Sequence, residues 1–429
     1  MVASLRHRDF RLLWTGMAAS LVGDGVFLVA LAWQVYSLSS APYALALVGL
    51  SLSLPHVALV LFGGVLSDRL DRRRLMLGAD VVRGLAVAAI GGLSVAGSLD
   101  LGSLAGLAAV YGGATAFFGP AFDAIVPELV PSEALPGANS LDQFVRPAAL
   151  RLLGPGLGGL IIAASGVGGA FLVDAATFAF SIFALVRMSP RPAAGDGDGD
   201  VSTFREIRMG FGFVRSHVWL WGTFLAAAVA YLLFMGPVEV LLPYVVKNDL
   251  REGASILGVV FAMGGLGAIA GAVAVGHRGM PRRHISFMYV TWTLATLAVA
   301  GYGLARVGWQ LMVVSFAFNA LETAGTIVWA TTKQRMVPSR MLGRVSSLDW
   351  FISIGLLPVS FALTGPVAAA LGARATLLWA GVLGAAMTLC GLFLPGMLEV
   401  ERRPRSAPAF DTGMTAAAEH AVAGWGAGR

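Results

Sequence analysis

The sequence predicts an all-α integral membrane protein. Of its 429 residues 57% are hydrophobic and only 13% charged, the mean hydropathy is +0.77, and the apolar residues fall in long unbroken runs. Soluble domains carry about 25% charged residues, and a helix needs roughly 20 apolar residues to cross hydrocarbon. Twelve runs meet that length, at about 10–38, 43–67, 75–97, 101–125, 137–163, 169–187, 214–246, 255–276, 285–305, 309–332, 342–371 and 373–396. The 55 glycines are scattered through them, which suits close helix packing in lipid.

Run 1 follows the basic opening "MVASLRHRDFRLLW" and continues to Leu38, too long for a signal-peptide core, so it reads as a spanning helix that stays. Runs 2 and 3 flank "GGVLSDRLDRRR", in which six of the seven residues Asp68–Arg74 are charged. A loop this short makes helices 2 and 3 antiparallel neighbours. Between runs 6 and 7 lies "SPRPAAGDGDGDVSTFREIR", read as a flexible linker. The expected division is a six-helix half at 1–187, a linker at 188–213, a second six-helix half at 214–396 and a disordered tail at 397–429.

The halves repeat. "VPSEALPGANSLDQF" (Val130–Phe144) recurs as "VPSRMLGRVSSLDWF" (Val337–Phe351), and at the same offset Gly64 falls on Gly271. Two six-helix halves in one orientation match the parallel repeat of a large class of secondary transporters.

Basic residues set the orientation. Only Lys247, Arg251, Arg306 and Arg374 fall on one side; Arg83, Arg146 and Arg151 lie inside runs, and the rest of the 30 gather on the other side with both termini. That side is expected to be cytoplasmic. The pI near 9.9 therefore reflects topology, and no nucleic-acid partner is expected. No G-x-x-x-x-G-K-[ST] loop is present, which argues against an ATP-driven pump. The six histidines are dispersed and Cys390 is the single cysteine, which leaves no catalytic or metal constellation. The chain is expected not to be an enzyme and to need no cofactor beyond a proton gradient.

Gly64-Val65-Leu66-Ser67-Asp68-Arg69-Leu70-Asp71-Arg72-Arg73-Arg74 resembles the loop 2–3 signature of the major facilitator superfamily, G-x-L-x-D-R-x-G-R-R-R, with Asp71 where glycine is usual. With "HRDFRLLW" before helix 1 and "VPELVPSEALPGANSL" after helix 4, the chain is similar to the exporter subfamily that includes enterobactin exporters, the transmembrane secretion effectors. The resemblance implies twelve helices around a central cavity, alternating access, a monomer, and a bacterial cytoplasmic membrane. It implies that Asp68 caps the start of helix 11, and that a loop arginine pairs with an acid at the base of helix 4. Asp123 is placed for that pairing, with Arg72 as partner; Gly64 and Arg69 belong to the same gating element. A topology signal alone is the alternative for the loop, and Arg73 and Arg74 need be no more than that.

In helix 5, Gly154-Pro155-Gly156-Leu157-Gly158-Gly159 resembles the antiporter-associated G-P-x-x-G-G core. Gly154, Gly158 and Gly159 allow close approach of a neighbour, and Pro155 frees a carbonyl and bends the helix; an ordinary packing seam is the alternative. The resemblance places helices 1, 4, 7 and 10 around the cavity. Asp24, Glu239 and Glu322 on three of them are then candidates for proton or substrate binding, since an acid inside the membrane is costly enough to need a role or a partner. Gly23 and Gly25 would leave Asp24 open to ligand, whereas Glu239 beside Pro237 equally suits a helix brace. Asp80 with Arg83 and Asp142 with Arg146 are spaced to pair on one helix face. Asp142 and Asp349, matched in the repeat, are expected to brace the interface between halves. His56 reads as a packed histidine; Trp33 and Trp329 are possible substrate contacts. The expected function is proton-coupled export of a small molecule (drug, antibiotic or siderophore-like). Proton-coupled uptake, or a non-transporting scaffold or receptor on the same fold, are the alternatives.

Overall fold

The computed structural model describes residues 2–39, 43–190, 203–252 and 254–402. Among them eleven helices are long and apolar enough to cross a membrane. One of these, continuous over Gly154–Arg187, contains Gly166 at φ 76°, ψ 175°, a conformation that favours glycine. The chain kinks there and the helix divides into two, which makes twelve.

We label them α1 (Arg8–Leu38), α2 (Tyr43–Arg69), α3 (Arg72–Val95), α4 (Leu101–Leu129), α5 (135–165), α6 (167–187), α7 (218–249), α8 (Ala254–Arg278), α9 (His284–Leu304), α10 (Gly308–Met336), α11 (339–371) and α12 (Ala373–Leu392). Local chemistry explains several boundaries. Asp100 caps α4 by accepting the N–H groups of Gly102 and Ser103 at 2.8 and 3.0 Å, as an N-cap carboxylate should. Asp71 caps α3 through the N–H of Arg73 at 2.9 Å. Its φ is −57°, so the glycine usual at this position is not required. In α11 the helix breaks between Gly355 and Leu357, beside Pro358, which has no N–H to continue the ladder.

Two parts differ from expectation. The segment expected as flexible linker carries a helix, Thr203–Ser216, packed on α2 and α11; residues 191–202 lie outside the described residues. The start of the expected tail is packed: Met397 and Val400 are buried, and Glu401 accepts the N–H and hydroxyl of Ser286 at 2.6 and 3.0 Å. Residues 403–429 lie outside the described residues.

The two halves share a layout. In the first, α2 packs on α4 and α3 on α6; in the second, α8 packs on α10 and α9 on α12. The one-residue register of the repeat shifts, however. A Cβ on Gly63, not Gly64, would strike a carbonyl of its own half (Ala116 on α4), as one on Gly271 would strike Ala320 on α10. Each half is built around aromatic clusters, such as Phe27, Tyr111, Phe171 and Phe178 in the first and Trp219, Tyr289 and Trp329 in the second. Leu85, Leu160, Phe183 and Trp379 remain exposed on the outer surface, as lipid-facing residues are in a membrane protein.

Contacts between halves run α2 to α11, α5 to both α8 and α10, and α4 to both α10 and α11. Those of α5 and α11 come chiefly from their first segments, Leu135–Pro147 and Ser339–Gly355. The seam is therefore closed at the arginine-rich end of the molecule.

Candidate functional site

The closed seam is built around two buried charges. Asp68, 3% exposed, ends α2, where a carboxylate is disfavoured by the helix dipole. It is satisfied across the seam instead: its oxygens accept the N–H groups of Gly343 and Arg344 at 2.8 and 3.1 Å near the start of α11. Arg344 and Arg72 lie at 3.4 and 3.5 Å. Gly64 and Gly343 make this approach possible, since a Cβ on Gly64 would overlap Ser347, and one on Gly343 would overlap Ser67 and come within 2.6 Å of Asp68.

Arg72 is the second charge. It donates to Ser67 O at 3.1 Å and Ala124 O at 3.0 Å, reaches Ser339 O at 2.5 Å across the seam, and pairs with Glu128. The expected Arg72–Asp123 pair does not form. Ala124 and Glu128 lie one turn apart on the face of α4 towards Arg72, and Asp123 is rotated by about 100° from that face. Arg73 is more than a topology signal: it holds the carbonyls of Leu185 and Val186 at the end of α6 at 2.6 and 2.7 Å. Arg69 is half-buried at the end of α2, and Arg74 is 81% exposed, 3.7 Å from Asp71.

Asp123 turns towards the middle of the molecule, where Lys333 of α10 lies between it and Asp349 of α11 at 3.1 and 2.8 Å. Lys333, 2% exposed, bridges the halves, although by position it reads as one more basic residue of the arginine-rich side. Its signal was available: it is one of only two lysines in a chain that otherwise uses arginine. Bracing between halves is thus done by Lys333, with Asn139 donating to Thr331 and Gln334 at 2.9 and 2.8 Å. Asp142 does not brace them; it pairs with Arg146 on its own helix at 2.9 Å.

Above this layer is a cavity of about 180 Å³. It is bordered by Asp123, Asp142, Arg146, Lys333 and Asp349 and by the rings of Phe122, Phe224, Tyr231, Trp292, Trp329 and Trp350. None of the three acids expected there borders it. Asp24 accepts the Tyr111 hydroxyl at 2.5 Å inside the first half, near Arg83 and Asp174. Its flanking glycines open no path to ligand. A Cβ on Gly23 would overlap Asp174 and Thr177 of α6, and one on Gly25 would lie 2.8 Å from Cα of Gly154 on α5. Beside Asp24, Arg83 pairs with Asp80, which accepts the Ser181 hydroxyl at 2.6 Å. Glu239 is exposed and lies eight residues past Tyr231, the last α7 residue bordering the cavity, about 12 Å further along the helix. Glu322 comes nearest: Thr326, which borders the cavity, donates to it at 2.9 Å.

The glycine motif of α5 faces α1. A Cβ on Gly154 would lie 2.5 Å from Cα of Gly25, and one on Gly158 3.3 Å from Cα of Val26, whereas Gly159 faces open space. Just before Pro155 the helix widens into a π turn, Ala148–Leu153, consistent with a proline that cannot close the ladder. Trp329 borders the cavity and donates to Asp349 at 2.8 Å; Trp33 is 61% exposed, away from it.

Two six-helix halves, a charge-locked seam and a cavity between them define a major facilitator transporter, a multi-pass membrane protein. Within that superfamily the chain belongs to the transmembrane secretion effector family, whose model matches residues 1–412. It is 28% identical to the multidrug efflux pump Tap of Mycolicibacterium fortuitum over 88% of this chain and 94% of that one. It is also 28% identical to the enterobactin exporter EntS of Citrobacter koseri, over 95% and 96%. Among solved structures it shares its fold with the major facilitator transporter FucP, at a TM-score of 0.71 and 13% identity over 89% of this chain and 97% of that one.

Proposed function

We propose that the protein is a secondary active exporter, moving a small molecule (drug, antibiotic or siderophore-like) out of the cell by proton antiport. It works by alternating access as a monomer in the bacterial cytoplasmic membrane, with the arginine-rich end and both termini in the cytoplasm. The observation that carries this reading is the seam: Asp68 reaches two amides of the opposite half and Lys333 bridges carboxylates of both. Such contacts exist only while the cytoplasmic side is shut, so breaking them shifts the population between conformations. Two relatives named for efflux and export, and the α5 glycine motif against α1, favour export over uptake.

A proton must bind and leave during the cycle. Asp24 is our carrier, because among the described residues Asp24, Asp80 and Asp174 lie together around Arg83, the other arginine that acts on Asp24, Arg146, is itself paired with Asp142, and Oδ2 of the buried Asp174 has no hydrogen-bond partner there. A surplus of carboxylates out of water is relieved by protonation. Glu322, beside the cavity, is the alternative carrier.

The test is accumulation of a macrolide, a tetracycline and a catechol siderophore in an efflux-deficient bacterium expressing the chain, with and without a protonophore. Protonophore-sensitive lowering of at least one compound is expected; a panel left unchanged in cells and in proteoliposomes would point to the scaffold or receptor reading. For the compound exported, Asp24→Asn is expected to abolish flux driven by a pH gradient and to retain downhill exchange. Gradient-driven flux that survives the substitution removes Asp24 from the mechanism.

A further inference from the structure

Among the described residues, the side chains bordering the cavity carry one more acidic than basic group. Its carboxylates are Asp123, Asp142 and Asp349, and its cations are Arg146 and Lys333. Arg146 is matched by Asp142, whose two oxygens both lie 2.9 Å from its Nε. Among the described residues Lys333 is the one cation in hydrogen-bond contact with both remaining acids, each through its Oδ2. The two acids stay 21% and 20% exposed while the lysine is almost wholly covered at 3%. The side facing the cavity is therefore a carboxylate pair that shares a single ammonium.

The rest of the wall is aromatic. The indole N–H groups of Trp329 and Trp350 point at Asp349 and Asp123, at 2.8 and 3.3 Å, which fixes two large rings beside the acid pair. We propose that this cavity binds a flat aromatic monocation, with its charge at the Asp123–Asp349 pair and its ring among Trp292, Trp329 and Trp350. The cation supplies the charge that Lys333 cannot give to both acids, and aromatic faces attract cations further. An anion finds no free partner, since both cavity cations are already paired. A neutral ring leaves the surplus charge of the acid pair uncompensated. This assignment rests on the transporter reading of the cavity but concerns binding, which is measured without flux.

The test is titration of the purified full-length protein in detergent with ethidium, a planar monocation, beside fluorescein, a planar anion. Saturable ethidium binding is expected, with fluorescein far weaker. Asp349→Asn should weaken ethidium roughly tenfold, equivalent to about 1.4 kcal/mol. Lys333→Gln should tighten it, because both carboxylates are released to the ligand. The opposite signs guard against misfolding, which would weaken binding in both variants. Tighter binding of fluorescein, or equal ethidium affinity in the wild type and both variants, overturns the proposal. If ethidium behaves as expected and no compound is exported, the exporter reading fails and the binding site stands.

Discussion

The two copies of the repeated segment, Val130–Phe144 and Val337–Phe351, open α5 and α11 and meet the opposite half with different chemistry. They begin alike: Ser132 gives its carbonyl to Arg335 of the second half, and its repeat-mate Ser339 gives its own to Arg72 of the first. One turn later they diverge. Gly343 on α11 offers an N–H and a bare Cα to Asp68, whereas its repeat-mate on α5 is Pro136, with neither. The position matching Asp68 in the second half is Val275, a buried core residue. The α5 copy is held by neutral bonds from Asn139 to Thr331 and Gln334. The backbone is thus two-fold related while the ionic lock is one-sided. A carboxylate that accepts two backbone N–H groups under two guanidinium groups is a stronger contact than hydrogen bonds between neutral side chains.

The largest test of that contrast is Asp68→Asn. An amide has no charge for Arg72 or Arg344 and only one accepting oxygen for two N–H groups, so transport should fall close to background with expression and insertion near normal. Vesicles transporting at the wild-type rate would reduce the loop to a topology signal. Gly64→Val should come next, because its side chain would occupy the space of Ser347 and the Gly343 carbonyl. Transport should drop severely, and Gly159→Val, which meets open space, should leave it nearly unchanged. Equal effects would mean that the seam tolerates widening.

Asn139→Ala probes the neutral copy. It leaves the Thr331 hydroxyl and the Gln334 carboxamide oxygen without this donor, a loss of about 1 kcal/mol per bond, and transport rates should fall only a few-fold. A loss as deep as that of Asp68→Asn would erase the distinction between the two copies. The smallest effect belongs to Asp100, outside both. Its bonds from Ser103 and Gly102 hold its carboxyl below the usual carboxylate range. Its stabilisation is therefore present above the unfolded pKa and fades as pH falls through the lower folded value. Asp100→Asn should remove that slight acid sensitivity from Tm and leave transport untouched, as thermal unfolding at stepped pH would report.

Pairings within one helix were legible in the sequence, because the 3.6-residue period places partners three or four apart on one face. Asp80 with Arg83 and Asp142 with Arg146 both form. Pairings between helices were not. Asp68 reached its helix 11 amides by resemblance, and the partner of Arg72 proved to be Glu128. Asp123, five residues earlier on α4, went to Lys333 instead, because helix period says how residues sit around one axis and nothing of how the next axis is rotated.

Length and hydropathy were enough to fix the spans, since a helix either fills the hydrocarbon thickness or does not, and loop charge was enough to mark the arginine-rich side. Short loops made successive helices neighbours. The tertiary structure alone decided which way each buried charge points. Helix rotation is set by where backbones touch, as at Gly25 against Gly154 and Gly64 against Gly343. Those contacts turn Asp24 into the first half, towards Tyr111, and leave the cavity to Asp123, Lys333 and Asp349. Close packing of this kind depends on many residues distant in sequence at once, and no local pattern along the chain encodes it.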